Sequence, residues 1–113
     1  MKRKICTDID QSKKLTELGI DINTADIIYN ILDQSYIRHD APIDKYHMPA
    51  WSLSALLGLI EWDYNLEKTL FDQSDLFTYS IVCDDLDFRT YEYDDPLDAA
   101  FEMIVWLKEN NNL

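Results

Sequence analysis

The clearest periodic pattern of apolar residues lies near the middle of the chain. Its large side chains recur at the i, i+3, i+4 and i+7 spacing of one helical face: Leu53, Leu56, Leu57 and Ile60. Ser52 suits the N-cap of this helix, and Trp51 and Leu56 then occupy the two positions of a hydrophobic staple. The pattern predicts a helix over residues 53–60 whose apolar face is buried by the rest of the chain.

A second helix is predicted near the C-terminal end. Asp95 suits its N-cap, Pro96 its first helical position, and Asp98 the positive end of the helix dipole. The apolar positions form a wide face: Leu97, Ala99, Ala100, Phe101, Met103, Ile104, Trp106 and Leu107. So broad a stripe predicts a helix packed on two sides, or one whose second side meets a partner.

A thinner pattern predicts a surface helix near the N terminus. Thr7 suits its N-cap, and Gly19 suits its end. Between them the apolar residues form a narrow stripe of Ile9, Leu15 and Leu18. A stripe of this width predicts a helix that lies on the surface.

Residues 76–83 and 88–93 alternate with the period of a strand and predict a hairpin. Because side chains alternate with period two, the length of the turn decides which aromatic residues share a face. An odd loop gives two aromatic pairs, Phe77 with Tyr93 and Tyr79 with Tyr91. We therefore predict an odd loop, or a bulge with the same effect.

Three other stretches have weaker patterns. Residues 25–32 fit both a strand and a helix, and their isoleucine and tyrosine content favours a strand. Residues 33–47 show no period and predict a long loop, which is a candidate binding segment. Leu66, Leu70 and Phe71 predict a short turn of helix.

Together these patterns predict an α+β fold, with about three helices packed on a small antiparallel sheet that contains the hairpin at residues 76–93. The chain has 113 residues, of which 47% are hydrophobic, enough for one real core. We therefore predict that residues 1–113 form a single compact domain.

The chain is strongly acidic, with 22 acidic against 10 basic residues and a formal charge of -12. Such a body repels nucleic acid and anionic membranes, so neither is expected as a partner. No apolar run approaches the length of a membrane span, and the lysine- and arginine-rich start leads into polar residues rather than a signal peptide. We therefore expect a cytoplasmic protein.

The residue types of a Cys–His nucleophile pair are present: Cys6, Cys83, His39 and His47. Cys83 falls on the inner face of a predicted strand, which favours a buried and inert thiol. Two cysteines without C-x-x-C spacing predict reduced thiols. An enzyme of this kind is a disfavoured alternative, and no catalytic residue is predicted.

Two groups of metal-ligand residue types occur: His39, Asp40, Asp44 and His47, and then Asp84, Asp85 and Asp87. The histidine spacing matches no standard zinc pattern, and the aspartates lack the glycine and the terminal glutamate of a calcium loop. With two glycines the chain has no phosphate-binding motif. We predict an ordinary polar loop, a solvated turn, and no metal or cofactor.

Three stretches carry a resemblance to other proteins. They are Thr-Ala-Asp at 24–26, Pro-Ala-Trp-Ser-Leu-Ser-Ala-Leu-Leu at 49–57, and Asp-Pro-Leu-Asp-Ala-Ala-Phe-Glu-Met at 95–103. Together they resemble a family of small uncharacterised bacterial proteins often carried on prophage-like or other mobile elements. The resemblance implies one compact domain and assigns no activity, ligand or catalytic residue.

The function that these observations favour is a small acidic, non-catalytic interaction domain that binds another protein through an acidic or aromatic surface. The alternative in a second class is a nucleic-acid mimic, in which rows of carboxylates occupy the basic site of a DNA-binding protein. Self-association into a homo-oligomer is left open by the sequence.

Overall fold

The computed structural model describes residues 4–38, 45–70 and 77–113. Over these residues the fold has three helices: α1 (Ile9–Glu17), α2 (Leu53–Gly58) and α3 (Pro96–Glu109). The first sheet has the order β2-β1-β3 and contains β1 (Ile27–Asn30), β2 (Ser35–Arg38) and β3 (His47–Ala50). The second has the order β4-β5-β6 and contains β4 (Asn65–Leu70), β5 (Phe77–Cys83) and β6 (Phe88–Arg89). Both are antiparallel, so the predicted α+β class is confirmed, with two small sheets in place of one.

The helix ends follow from local hydrogen bonds. The side chain of Ser52 accepts from the backbone N–H of Ala55, and that of Asp95 accepts from Leu97, which confirms both predicted N-caps. Gly19 has a φ of 87° just after α1, which confirms it as the end of that helix.

The predicted cap of α1 is wrong by one residue. Asp8 is the N-cap, because its side chain accepts from the backbone N–H of Gln11 in a capping box. The Thr7 hydroxyl accepts instead from the backbone N–H of Trp51 at 3.0 Å and lies 2.8 Å from the hydroxyl of Ser12. Thr7 therefore bonds to a distant segment, while the helix starts at the capping box of Asp8.

The predicted strand within residues 25–32 is confirmed as β1, whereas the predicted loop over residues 33–47 is wrong in part. That segment contains β2 and the start of β3, both of which pair with β1. Residues 39–44 lie outside the described residues. The two strands form their backbone hydrogen bonds with β1. Their own residues do not alternate between apolar and polar, so the sequence pattern does not predict them.

The predicted turn of helix at residues 66–71 is also wrong, because residues 65–70 form β4 and pair with β5 at all six positions. Phe71 lies outside the described residues. Pairing with a neighbouring strand has decided the conformation of a segment whose apolar spacing also fits a helix.

The hairpin between β5 and β6 has a four-residue loop, so the first of the two predicted alternatives, an odd loop, is wrong. Residues 84–87 form the loop, which ends in the left-handed conformation at Asp87 with a φ of 51°. The even loop places Thr90 beside Ile81, where the Thr90 hydroxyl accepts from the Ile81 backbone N–H at 2.9 Å. This bond satisfies the polar group on the apolar face.

A bulge follows in the second arm of the hairpin. The backbone of Tyr79 exchanges hydrogen bonds with Tyr93, so residues 91–92 both face the single residue Ser80. The predicted pairing of Tyr79 with Tyr91 is wrong, and the predicted pairing of Tyr93 with Phe77 is wrong with it. The predicted alternative to an odd loop, a bulge that unites aromatic residues, is therefore present, although it pairs Tyr79 with Tyr93.

Within the described residues, one hydrophobic core joins the three helices to β5, and the first sheet contacts α1 through β3. Helix α3 packs against β5 on one side and α2 on the other, so the two-sided packing predicted for it is confirmed. Leu56 and Trp51 are fully buried, and the ring of Phe88 stacks on that of Trp106 at 4.0 Å. No helix within the described residues is long and apolar enough to cross a membrane.

Candidate interaction surface

Both cysteines are free and buried. Burial, with a smaller effect of the carboxylates of Asp26 and Asp8, raises the pKa of Cys6 to about 11. Burial also raises the pKa of the Cys83 thiol, whose Sγ lies 3.8 Å from the Sδ of Met103. The prediction of unpaired thiols is confirmed, and thiols with raised pKa values carry little of the nucleophilic thiolate at neutral pH.

The predicted group of histidines and aspartates is described only in part. His47 lies on β3 opposite Asn30 and lines a cavity between α1 and the first sheet. His39, Asp40 and Asp44 lie outside the described residues. Within the described part of the chain, no three side chains of the His, Cys, Asp and Glu types are placed to hold a metal ion.

The acidic turn after β5 is exposed, which confirms the prediction of a solvated turn. Two of its residues, Asp84 and Asp85, line a groove of about 440 Å³ together with Asp63, Tyr64 and Asn65. We call this the acidic groove. It lies at the start of β4, because Asn65 is the first residue of that strand.

The stretches at 24–26 and 49–57 contact each other. The indole N–H of Trp51 donates to the Thr24 hydroxyl at 2.9 Å. The carboxylate of Asp26 accepts from the Ser52 backbone N–H at 2.9 Å and from the Ser52 hydroxyl at 2.5 Å. These bonds attach the start of α2 to the segment that enters β1. We therefore assign these residues a structural role.

A cleft of about 300 Å³ lies between α1 and α3 and is lined by polar as well as apolar side chains. The Tyr93 hydroxyl donates to the Glu102 carboxylate at 2.5 Å, and burial together with this bond raises the pKa of Tyr93 to about 12. Asp98 accepts from the side chains of Gln11 and Lys4, both at 2.8 Å. The polar groups of the cleft thus bond to one another and hold α1 and the N-terminal segment on α3.

A row of apolar side chains is open to solvent on the ribbon formed by β4 and β5. Leu66, Leu70 and Phe77 are 41%, 52% and 41% exposed. The register pairs Leu66 with Ile81 and Leu70 with Phe77, so all four lie on one face. Ile81 is fully buried, whereas the other three form what we call the open strip. The core face of the ribbon therefore continues beyond the core.

Among the residues that the structure describes, no strand pairs with the outer edge of β4, beside the open strip. Tyr79 and Ile81 exchange hydrogen bonds with the arm that contains β6, so the even-numbered residues of β5 direct their backbone groups to β4. Their partners are Asn65, Glu67 and Thr69. The backbone groups of the other three residues point away from the sheet: Leu66, Lys68 and Leu70. Over the described residues, β4 pairs with β5 alone.

Lys68 lies on the same face of the ribbon as the open strip, which we call the open face. The Nζ of Lys68 lies 4.2 Å from the centre of the Phe77 ring, the geometry of a cation–π contact. On the opposite face, Glu67 forms an ion pair with Arg89 at 2.6 Å. The open face therefore presents two leucines of β4 with a lysine between them, and the acidic groove at one end.

This surface was missed by the interpretation of residues 66–71 as a helix. The signal that indicates it is the even spacing of Tyr64, Leu66, Lys68 and Leu70, which is the period of a strand. Comparison of the chain with protein-family models, with curated proteins and with solved structures finds no match.

Proposed function

We propose that this chain is a non-catalytic interaction domain that acts in the cytoplasm and binds another protein through the open strip. The observation that carries the proposal is the row of three exposed apolar side chains, Leu66, Leu70 and Phe77, beside a strand edge that no other described segment pairs with. Contiguous exposed apolar surface marks interaction sites in soluble proteins, and unpaired edges are templates for further pairing.

The state of the polar groups supports a binding role over a catalytic one. The two thiols are buried with raised pKa values. The Tyr93–Glu102 pair and the Asp98 carboxylate are occupied by internal hydrogen bonds that hold elements together. The open strip has no comparable internal role, because its side chains lie outside the core.

Site-specific photo-cross-linking tests the proposal. A photoreactive amino acid replaces Leu70 in the open strip or, as a control, Ser54, which is exposed on α2. In cells that express the chain naturally, we expect position 70 to cross-link a defined protein and position 54 to give no such adduct. The same adducts from both positions, or none from position 70, would contradict the proposal.

A further inference from the structure

We propose, on the basis of the function proposed above, that the partner contributes an extended basic segment that pairs with β4 as a fourth strand of the second sheet. The backbone N–H and C=O groups of Leu66, Lys68 and Leu70 point outward and supply the hydrogen bonds for it. Strand addition of this kind takes affinity from the backbone and specificity from alternate side chains.

The open strip determines which side chains the segment carries. Partner residues opposite Leu66 and Leu70 lie on the open face, beside Phe77, and are therefore apolar. The residue between them, two positions from each, lies opposite Lys68. An acidic or neutral polar side chain suits that position, since a basic one would meet the Lys68 ammonium.

The acidic groove determines the charge at one end of the segment. Asp63, Asp84 and Asp85 lie together at the Asn65 end of β4, on a chain whose formal charge is -12. Where a partner segment extends past Leu66 towards Asn65, its residues at that end lie beside these carboxylates. Lysine or arginine at that end gains from charge complementarity, which also speeds association.

A second copy of this chain is a poorer occupant of the edge. In antiparallel self-pairing, residues directly opposite share a face, so a residue pairs only with one of the same parity. The two registers that overlap β4 most fully place Lys68 opposite Lys68, or Glu67 opposite Glu67. Like charges directly opposite destabilise a pair of strands, and two chains of charge -12 repel each other.

Selection from a phage library of short random peptides on the intact protein tests the inference. We expect enriched peptides to alternate apolar and polar residues and to carry lysine or arginine at one end. An enriched peptide is then synthesised, and its affinity is measured by fluorescence anisotropy for the wild type, Lys68→Ala and Lys68→Pro. Both variants lose the ammonium group, and only the proline variant loses the outward N–H.

Binding to Lys68→Pro should be weaker than binding to Lys68→Ala by at least about tenfold. The double variant Asp84→Asn, Asp85→Asn should lose about threefold and show a weaker salt dependence, whereas Asp87→Asn outside the groove should bind as the wild type does. If circular dichroism shows that Lys68→Pro is unfolded, Leu66→Lys takes its place, because Leu66 is exposed and a lysine there repels the basic segment.

Several results would overturn the inference: no enriched peptide, enriched peptides without alternation, or equal binding to the proline and alanine variants. A dimer that dissociates on Lys68→Pro substitution would show that a second copy is the occupant. If position 70 cross-links a protein in cells while the peptides fail, strand addition is wrong and the interaction function stands. If both experiments fail, both proposals are wrong.

Discussion

Helix α3 and strand β4 differ most clearly in how the rest of the chain covers them. Seven residues of α3 are buried, between β5 on one side and α2 on the other. No residue of β4 is buried, and its place depends on backbone pairing with β5. The core thus rests on α3, while the apolar side chains of β4 contribute little to it. Because backbone hydrogen bonds hold β4 in the sheet, its side chains need not pack into the core and stay exposed.

The largest expected difference between the two regions is in chemical accessibility. Cys83 lies on β5 beneath α3, so in a Cys6→Ser variant we expect its reaction with a thiol reagent to be at least about a thousandfold slower in the native state than in urea. A cysteine introduced by Thr69→Cys in exposed β4 should react at once. The reaction is followed by the absorbance of the thiolate that the reagent releases. Rapid native reaction of Cys83 would show that α3 does not stay packed on β5.

Truncation of side chains should reproduce the difference in stability. Ile104 on α3 is fully buried, and Ile104→Ala should lower the free energy of unfolding by about 2–5 kcal/mol through lost burial and a cavity. Leu70 on β4 is 52% exposed, and Leu70→Ala should lower it by less than about 1 kcal/mol. Urea unfolding followed by circular dichroism measures both. Equal losses would show that the open strip belongs to the core.

The start of α3 should contribute less than its buried face. The Asp95 side chain accepts from the backbone N–H groups of Leu97 at 2.9 Å and Lys4 at 2.8 Å. Asp95→Ala should therefore cost about 1–2 kcal/mol, as the loss of an N-cap does. Asp94 is the exposed neighbour of Asp95, so Asp94→Ala is a matched control. It should leave the urea midpoint of unfolding nearly unchanged. A comparable cost for both would assign the effect to charge rather than to capping.

A further effect, which depends on pH, concerns the contact between the second sheet and α3 through Tyr93. Its pKa in the folded protein is about 12, above the ordinary value of 10.0 that applies to the unfolded chain. The folded state therefore holds the proton more tightly, and the resulting stability is present below pH 10 and is lost as the pH rises through about 12.

Tyr93→Phe removes this dependence. Urea unfolding between pH 9 and pH 11.5 should show wild-type stability falling towards that of the variant, beyond any decline that the variant itself shows. A constant difference between the two proteins across this range would mean that burial and the bond to Glu102 do not raise the pKa of Tyr93.

The parts of the fold that were predicted correctly depend on neighbours in the sequence. Ser52, Asp95 and Gly19 end or begin helices through bonds within one turn, so the residue types suffice to locate them. The cap of α1 lies one residue beyond the predicted one because Asp8 and Gln11 form a capping box, a local pattern that the prediction overlooked. The Thr7 hydroxyl instead bonds to Trp51, far away in the chain. Strand β2 was predicted as loop because its backbone hydrogen bonds go to β1, a separate segment of the chain.

The candidate surface follows the same division. The acidity of the turn at residues 84–87 and the apolar character of Leu66 and Leu70 are visible in the sequence. The acidic groove needs Asp63 beside that turn, and the open strip needs the register of β4 against β5. No local sequence pattern predicts that Asp63 lies beside the turn or that β4 pairs with β5 in this register.

By itself the sequence determined the α+β class, the two main helices with their caps, the strand β5 and the acidic charge. The tertiary structure alone decided that the described residues form two sheets, that a bulge pairs Tyr79 with Tyr93, and which apolar residues stay exposed. The physical reason is that helices and turns close their hydrogen bonds within a few residues, whereas strand pairing and burial depend on segments that meet only in the folded chain.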